Sequence, residues 1–467
     1  MNFHKKVTHT YSLFIAVAMM ALTTAVTGQA QVSTEEPTLQ VLTLEQAVDL
    51  ALKNNKQLQM QANNSEVAQN NVYLGNAGFL PTVNLMGSGE YSSSSQELSI
   101  RTFQPEPPVL TFDEDGVKSK KAAVLIQADY VVISGLARKY SYSILKKKST
   151  LENLKQEIAI NETIVAVTGM FTQIASLQSR EELLQETILV TTDRLAKIED
   201  RKAFGQATGL DILKAKTYLN QDQSSLDEVA LNKTNRIKQL NRWIGLPLDT
   251  LYRVNINYLL PEEADPKQVI ANVKENNPNI KLAQSGVNIA EDQLGLAQSN
   301  LFPKLKVFAN YGYAYQENDL QQLAELQNRG YTVGASLQYN IFNGSKTKRE
   351  IQNATINIES QKIYSQDIED QITTEALQEL NTLAILRNQL EREMDNLDTF
   401  EETFNRTQER YSNGQATSLD LRDTQTALFN ARVQVNDIKL KMVNSGMRLE
   451  SLTGQLIKED AENETIK

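Results

Sequence analysis

The sequence predicts an α+β membrane protein with an internal twofold repeat: a trimeric 12-stranded β-barrel, 4 strands per chain, continued by a long α-helical coiled-coil barrel. Three observations predict it. Blocks of sequence recur in the same order at fixed offsets. The segments after Pro81 and Pro303 alternate apolar and polar residues. Two Pro-free stretches are far too long to be helices of an ordinary globular core.

Residues 1–30 read as a signal peptide. Lys5 and Lys6 give a positive start, Tyr11 to Val26 form an apolar run, and Gly28-Gln29-Ala30 offers a small-x-small cleavage site. The run is short for a bilayer-spanning helix, so the mature chain is expected to begin at Gln31. Losing Lys5 and Lys6 leaves 45 basic residues against 57 acidic ones, a net charge of −12, which excludes a generic nucleic-acid binder. Both histidines, His4 and His9, go with the leader, and the chain has no Cys. Ser-His-Asp and Cys-His catalysis, ordinary zinc sites, disulfides and lipid attachment through an N-terminal Cys are thereby removed; no enzyme, metal or cofactor is expected. Past residue 30 the apolar runs are short, such as Ile164-Val165-Ala166-Val167 and Tyr130-Val131-Val132-Ile133. No transmembrane α-helix is expected, so a membrane span must use strands closed into a barrel.

The duplication is the most specific signal. Asn54-Asn55 through Phe79-Leu80-Pro81 matches Asn276-Asn277 through Leu301-Phe302-Pro303 at an offset of 222. The offset then becomes 209: Ser134-Gly135 falls on Asn343-Gly344, Gly205-Gln206-Ala207-Thr208 on Gly414-Gln415-Ala416-Thr417, and Gly245 on Gly454. Only the Pro-to-Gly segment differs in length, by 13 residues, so it is expected to hold an exposed loop. The boundaries follow: repeat 1 over 31–245, a linker or equatorial segment over 246–272, repeat 2 over 273–454 and an acidic tail over 455–467.

Each repeat opens with a helix and continues with two strands, within 81–135 and 303–344. In copy two, Leu305, Val307, Ala309, Tyr311, Tyr313 and Tyr315 alternate with polar or small residues, as do Tyr331, Val333, Ala335, Leu337, Tyr339 and Ile341. Period two with tyrosines on the apolar face matches barrel strands with aromatic girdles, although a half-buried soluble sheet alternates in the same way. Copy one alternates at Val83, Leu85 and Tyr91, then at Val124, Ile126, Ala128, Tyr130 and Val132; Ser92 to Lys121 between them reads as an exposed loop.

Long helices are expected over 136–204 and 345–412, about 105 Å each from Gly to Gly at roughly 1.5 Å per residue. Apolar positions such as Ile368, Ile372, Leu377, Leu380, Leu383 and Leu386 recur as a packed seam requires. Tips follow at 205–211 and 413–420, where Gly tolerates the positive φ that ends a helix; return helices run over 212–245 and 421–454. Thr208 or Gly209, and Thr417 or Ser418, are the expected caps. The linker, punctuated by Pro247, Pro261 and Pro266, is expected to hold a short strand at Tyr252–Leu259. Four strands cannot close a barrel, and open strand edges are not tolerated in hydrocarbon, so chains must associate; three give twelve strands.

The residues resemble the TolC-type outer-membrane efflux proteins over essentially the whole mature chain. Leu42-Thr43-Leu44-Glu45-Gln46-Ala47-Val48 with Ala51-Leu52 and Asn54-Asn55 looks like that family's opening signature; its usual Asn-Pro stands at Asn277-Pro278 but is Asn55-Lys56 in copy one. The resemblance implies a passive homotrimeric duct in the outer membrane of a Gram-negative bacterium, in contact with outer-membrane lipid and extending into the periplasm. An inner-membrane transporter drives such a duct through a periplasmic adaptor protein to export drugs or small toxic molecules. It implies adaptor contacts at the tips Gly205, Gln206, Ala207, Gly414, Gln415 and Ala416. It places a gate ring at Asp420 and Asp423, which share a helix face, and a tip lock at Tyr411 and Asp211. The Arg that the family carries two positions after the tip Gly is Ala416 here, which implies a weakened or different lock. Two alternatives remain: the outer-membrane component of a type I protein secretion system, and a secreted periplasmic coiled-coil interaction protein.

Overall fold

The computed structural model describes residues 41–101, 109–255, 260–319 and 325–456, all within one compact unit, Val41–Lys467. The expected leader and the tail from residue 457 lie outside the described residues, as does the end of the expected linker strand, residues 256–259.

The chain opens with a short strand, β1 (Val41–Thr43), and two helices, α1 (Leu44–Asn54) and α2 (Lys56–Asn70). Two long strands follow, β2 (Thr82–Arg101) and β3 (Val109–Ile133). A helical hairpin comes next, α3 (Ala137–Ala203) and α4 (Gly209–Ile244). After β4 (Arg253–Asn255) the order repeats as α5 (Pro266–Asn276), α6 (Pro278–Gln298), β5 (Lys304–Asn318), β6 (Glu325–Gln338), α7 (Lys346–Ser412) and α8 (Ser418–Thr453). β1 and β4 pair in parallel and so tie the start of the chain to the segment between the repeats.

The break in each opening helix is made by an asparagine. The Asn55 carboxamide oxygen accepts N–H bonds from Gln57 and Leu58, and its nitrogen donates to the Trp243 carbonyl at 3.2 Å. Asn277 does the same with Asn279, Ile280 and the Leu452 carbonyl, at 2.9 Å. One side chain thus caps a new helix and fastens it to the end of the returning helix. Pro278 fits at the first helical position because that N–H has no intrahelical partner; Lys56 stands there in copy one.

Strands β2, β3, β5 and β6 form one antiparallel sheet in that order, so β2 and β6 are its two open edges. The register places Leu85 opposite Ile126, Ile126 opposite Tyr311, and Tyr311 opposite Tyr331, which aligns the alternating apolar residues on one face. From Leu305 to Tyr315 that face runs about 34 Å along the strand, or about 26 Å of height at a tilt of about 40°. Outer-membrane barrels carry an apolar band of about this height, roughly 25 Å.

Two expectations change. Ser92 to Lys121 is not an open loop: Ser92 pairs with Ser119 and Arg101 with Val109, so the 13 extra residues lengthen a hairpin, and only residues 102–108 fall outside description. Weak strand formers pair here because β2 and β3 are already in register below them. Second, β6 ends at Gln338, so Tyr339 and Ile341, expected on its apolar face, lie past its end and are exposed. One 18-residue window of α3 is apolar enough by composition to cross a membrane, with mean hydropathy 1.3, but half of it is buried. In α3, Val167, Phe171 and Ile174 pack against Ala47, Ala51, Ile237, Leu240 and Ile244, in a core fed by α1 and α4. A second core joins Val269 and Val273 of α5 to Ile372, Ala376 and Leu383 of α7 and to Ile438 and Met442 of α8.

Each long helix has 67 residues, about 100 Å at roughly 1.5 Å per residue. Both start from a pair of left-handed residues, Gly135-Leu136 and Gly344-Ser345, which turn the chain from strand into helix. At the first junction the Arg138 guanidinium lies over the Phe79 and Tyr130 rings and donates to the Val132 carbonyl at 2.6 Å, fixing α3 beneath the sheet.

Candidate functional site: the hairpin tips and the seam above them

The two tips are the same backbone motif written twice. At the first, Gly205 has φ 72°, Gln206 N–H donates to the Arg201 carbonyl at 2.8 Å and Gly205 N–H to the Lys202 carbonyl at 2.9 Å. At the second, Gly414 has φ 74°, Gln415 N–H donates to Arg410 at 2.7 Å and Gly414 N–H to Tyr411 at 3.1 Å. This is a Schellman cap, which satisfies the last carbonyls of the helix and requires a left-handed residue after its C-cap. A Cβ at either glycine would meet nothing within 4 Å, so backbone conformation alone selects glycine.

Thr208 and Thr417 then cap the return helices, which start at Gly209 and Ser418 instead of at 212 and 421 as expected. Each is a capping box: the threonine hydroxyl accepts from the N–H of Asp211 or Asp420, and the aspartate carboxylate accepts from the threonine N–H and hydroxyl. Those hydrogen bonds to the ionised form hold both carboxyls below the usual carboxylate range, with Lys214 adding to the effect at Asp211 and Arg410 at Asp420.

The expected gate and adaptor residues are therefore placed as follows. Asp420 is exposed, and Asp423 stands exposed one turn further along α8. Gln206 and Gln415 are exposed at the tips, with Ala207 and Ala416 half-buried beside them. Phe204, Leu210 and Leu419 are exposed apolar side chains at the same ends. The expected lock is not formed by hydrogen bonding in this structure. Asp211 is committed to Thr208, and the buried Tyr411 hydroxyl has no hydrogen-bond partner among the described residues. Instead the Arg201 guanidinium covers the Tyr411 ring, 4.9 Å from its centroid, and donates to the Tyr411 carbonyl at 3.1 Å.

Above the tips the first hairpin meets the second along a polar seam that periodicity alone did not single out. Arg422 of α8 grips Asp222 of α4 bidentately at 2.7 and 2.8 Å, and Thr191 of α3 donates to the same carboxylate at 2.9 Å. Gln425 donates to the Thr187 carbonyl at 3.2 Å. Higher up, Asp437 takes Ser176 and Arg180, and Arg432 bridges Glu186 and Glu401. The signal that could have revealed it is the run Thr187, Thr191, Arg194 and Ile198, at helical spacings of three and four with polar residues in three of four seam positions.

The profile of the family described as "Outer membrane efflux protein" matches residues 47–246 and 269–455, both repeats and nearly all of the described chain. The chain belongs to the outer membrane efflux protein family. It is an outer-membrane efflux component. Among relatives of this efflux protein is the solvent efflux pump outer membrane protein SrpC of Pseudomonas putida, 23% identical over 87% of this chain and 84% of the relative. The cation efflux system protein CusC of Escherichia coli is 21% identical over 83% and 80%. Among solved structures, VceC of Vibrio cholerae superposes with a TM-score of 0.70 at 16% identity, covering 88% of this chain and 96% of that one. The CmeC outer membrane channel of Campylobacter jejuni gives 0.71 at 18% identity, covering 90% and 89%.

Proposed function

We propose that three copies of this efflux protein close a 12-stranded barrel in the outer membrane and form a passive duct across the periplasm. The observation that carries this reading is the four-stranded sheet, open at β2 and β6, with an apolar face as tall as a bilayer's hydrocarbon band. Such edges expose unpaired N–H and C=O groups, which hydrocarbon does not tolerate, whereas β2 of one copy and β6 of the next can satisfy each other. Exposed apolar residues on the same face, among them Val83, Leu85, Val124, Tyr311, Val333 and Leu337, would then meet lipid. The unit of construction is the repeat, 31–245 and 273–454 around the linker 246–272, so the trimer presents six similar hairpins.

In that assembly the tips form the periplasmic mouth. A periplasmic adaptor and an inner-membrane pump engage Gly205, Gln206, Ala207, Gly414, Gln415 and Ala416, and three copies of Asp420 and Asp423 put six carboxylates around the passage. Small toxic molecules are the cargo this reading favours, in line with the solvent and cation pumps named for its relatives. Native mass measurement of the detergent-extracted outer-membrane protein tests the assembly: three subunits are expected, and a monomer in the soluble periplasmic fraction contradicts it.

A further inference from the structure

The seam above the tips contains a buried arginine whose donors are unmet among the described residues. Arg194 of α3 is 1% exposed, and none of its three guanidinium nitrogens has a hydrogen-bond partner among the described residues. The carboxylate associated with it, Asp222, is fully engaged: both oxygens accept from Arg422, and Oδ2 also accepts from Thr191. The Tyr218 ring lies beneath both guanidinium groups, with its centroid 5.7 Å from Arg194 and 5.1 Å from Arg422. That gives partial compensation through the ring face, but no hydrogen bond to the N–H groups among the described residues. Burial, and then the like charge of Arg422, push the Arg194 guanidinium below its ordinary value, against the opposing pull of Tyr411, Asp222 and Tyr218. An arginine nevertheless stays protonated in proteins, so two largely buried cations share one carboxylate.

We infer that Arg194 is a built-in opening strain: its incompletely compensated charge works against the packing of the second hairpin on the first, while the Arg422–Asp222 bridge holds that packing. The two act in opposite directions on one movement. Separating α8 from α3 and α4 breaks the Arg422–Asp222 pair and at the same time lets water reach the donors of Arg194. The net cost of separation is smaller than the buried ion pair alone would set, and the seam lies nearer to balance. The geometry is confined to one seam of the chain, because the positions 209 residues on from Arg194 and Asp222 are Thr403 and Ala431. An effect of this strain on conductance rests on the duct reading; the strain itself does not.

Amide hydrogen exchange on the full-length detergent-solubilised protein tests the strain, using Arg194→Met, which removes the charge at similar length, and Arg194→Lys, which keeps it. Exchange along the buried face of α4 from Ala215 to Asp222 is expected to slow by about tenfold in Arg194→Met and to stay at or above the wild-type rate in Arg194→Lys. Equal slowing in both variants would assign the effect to packing, and unchanged or faster exchange in Arg194→Met would make Arg194 a stabilising residue; either overturns the inference. So does a Met variant that fails to assemble while the Lys variant assembles. Planar-bilayer recordings on the same samples should show lower conductance for Arg194→Met. If not even the wild type conducts, the duct reading fails, while the exchange result still decides the strain.

Discussion

The two hairpin tips and the seam above them were built by the same duplication, yet they differ in what was kept. At the tips the copies agree bond for bond: a left-handed glycine, a threonine cap and an aspartate three residues further along. In the cluster at the centre of the seam they share nothing, although Asp437 and Glu186 higher up keep acidic counterparts in Glu228 and Asp395. Arg194, Tyr218, Asp222 and Arg422 have Thr403, Ala427, Ala431 and Leu213 as their repeat counterparts. A tip solves a problem internal to each hairpin, the reversal of a long helix, and the solution is the same wherever the problem occurs. The seam joins α3 and α4 of one copy to α8 of the other, two unlike faces, so residues on each side are free to specialise. Charges diverge at the tips for the same reason: one turn after the capping aspartate stands Asp423 in copy two but Lys214 in copy one.

The largest way to break this contrast is at the seam. Asp222→Asn leaves Arg422 and Arg194 without their shared carboxylate at a site where the pair's side chains are only 15% and 7% exposed. A loss of about 3–5 kcal/mol is expected in denaturant titration of the assembled protein. The counterpart change Ala431→Ser should have little effect, and an equal loss there would deny the asymmetry. Next in size, Gly205→Val and Gly414→Val force a β-branched side chain into a left-handed conformation, costing about 1–2 kcal/mol each. Equal losses are expected, since neither glycine has neighbours to clash with; unequal ones would show that the tips are not the same motif.

Smaller again are the caps. Thr208→Val and Thr417→Val should each cost about 1 kcal/mol, read from the same titrations. The capping aspartates also set a pH dependence. Because the folded pKa of Asp211 and Asp420 is lowered, their contribution is fully present above the unfolded value of about 3.9. It is lost as pH falls through the folded value. Circular dichroism from pH 5 down to pH 2 should therefore show a loss of stability that Asp211→Asn with Asp420→Asn flattens. The smallest structural effect belongs to Asp423, which caps nothing. Asp420→Asn with Asp423→Asn should reduce cation selectivity in planar bilayers, and unchanged selectivity would remove the gate ring.

Much of the helical half was legible because its determinants are local. Gly205, Thr208, Gly414 and Thr417 announce a reversal whatever surrounds them, and long Pro-free runs leave few alternatives to helix. The strands of copy two were legible from alternation, since one face is apolar. The upper part of the first hairpin was not: Ser92, Ser93 and Lys118 have no apolar face to reveal, and their pairing is imposed by the register of β2 on β3 below. The Tyr411–Asp211 lock came from resemblance, and the capping box took Asp211 first because Thr208 is three residues away in sequence. The seam escaped notice because a polar residue at a core spacing looks like noise until its partner on another helix, 200 residues on in the case of Asp222 and Arg422, is known.

The central claim, that open edges β2 and β6 are closed by neighbouring copies, can be tested directly because the chain has no native cysteine. Paired cysteines, one among the positions Val83 to Tyr91 of β2 and one among Tyr331 to Leu337 of β6, would be oxidised in outer-membrane preparations. The account predicts that register-matched pairs give a denaturing-gel ladder that ends at three subunits. Pairs that cross-link only within a chain, or a ladder ending at two, would contradict it.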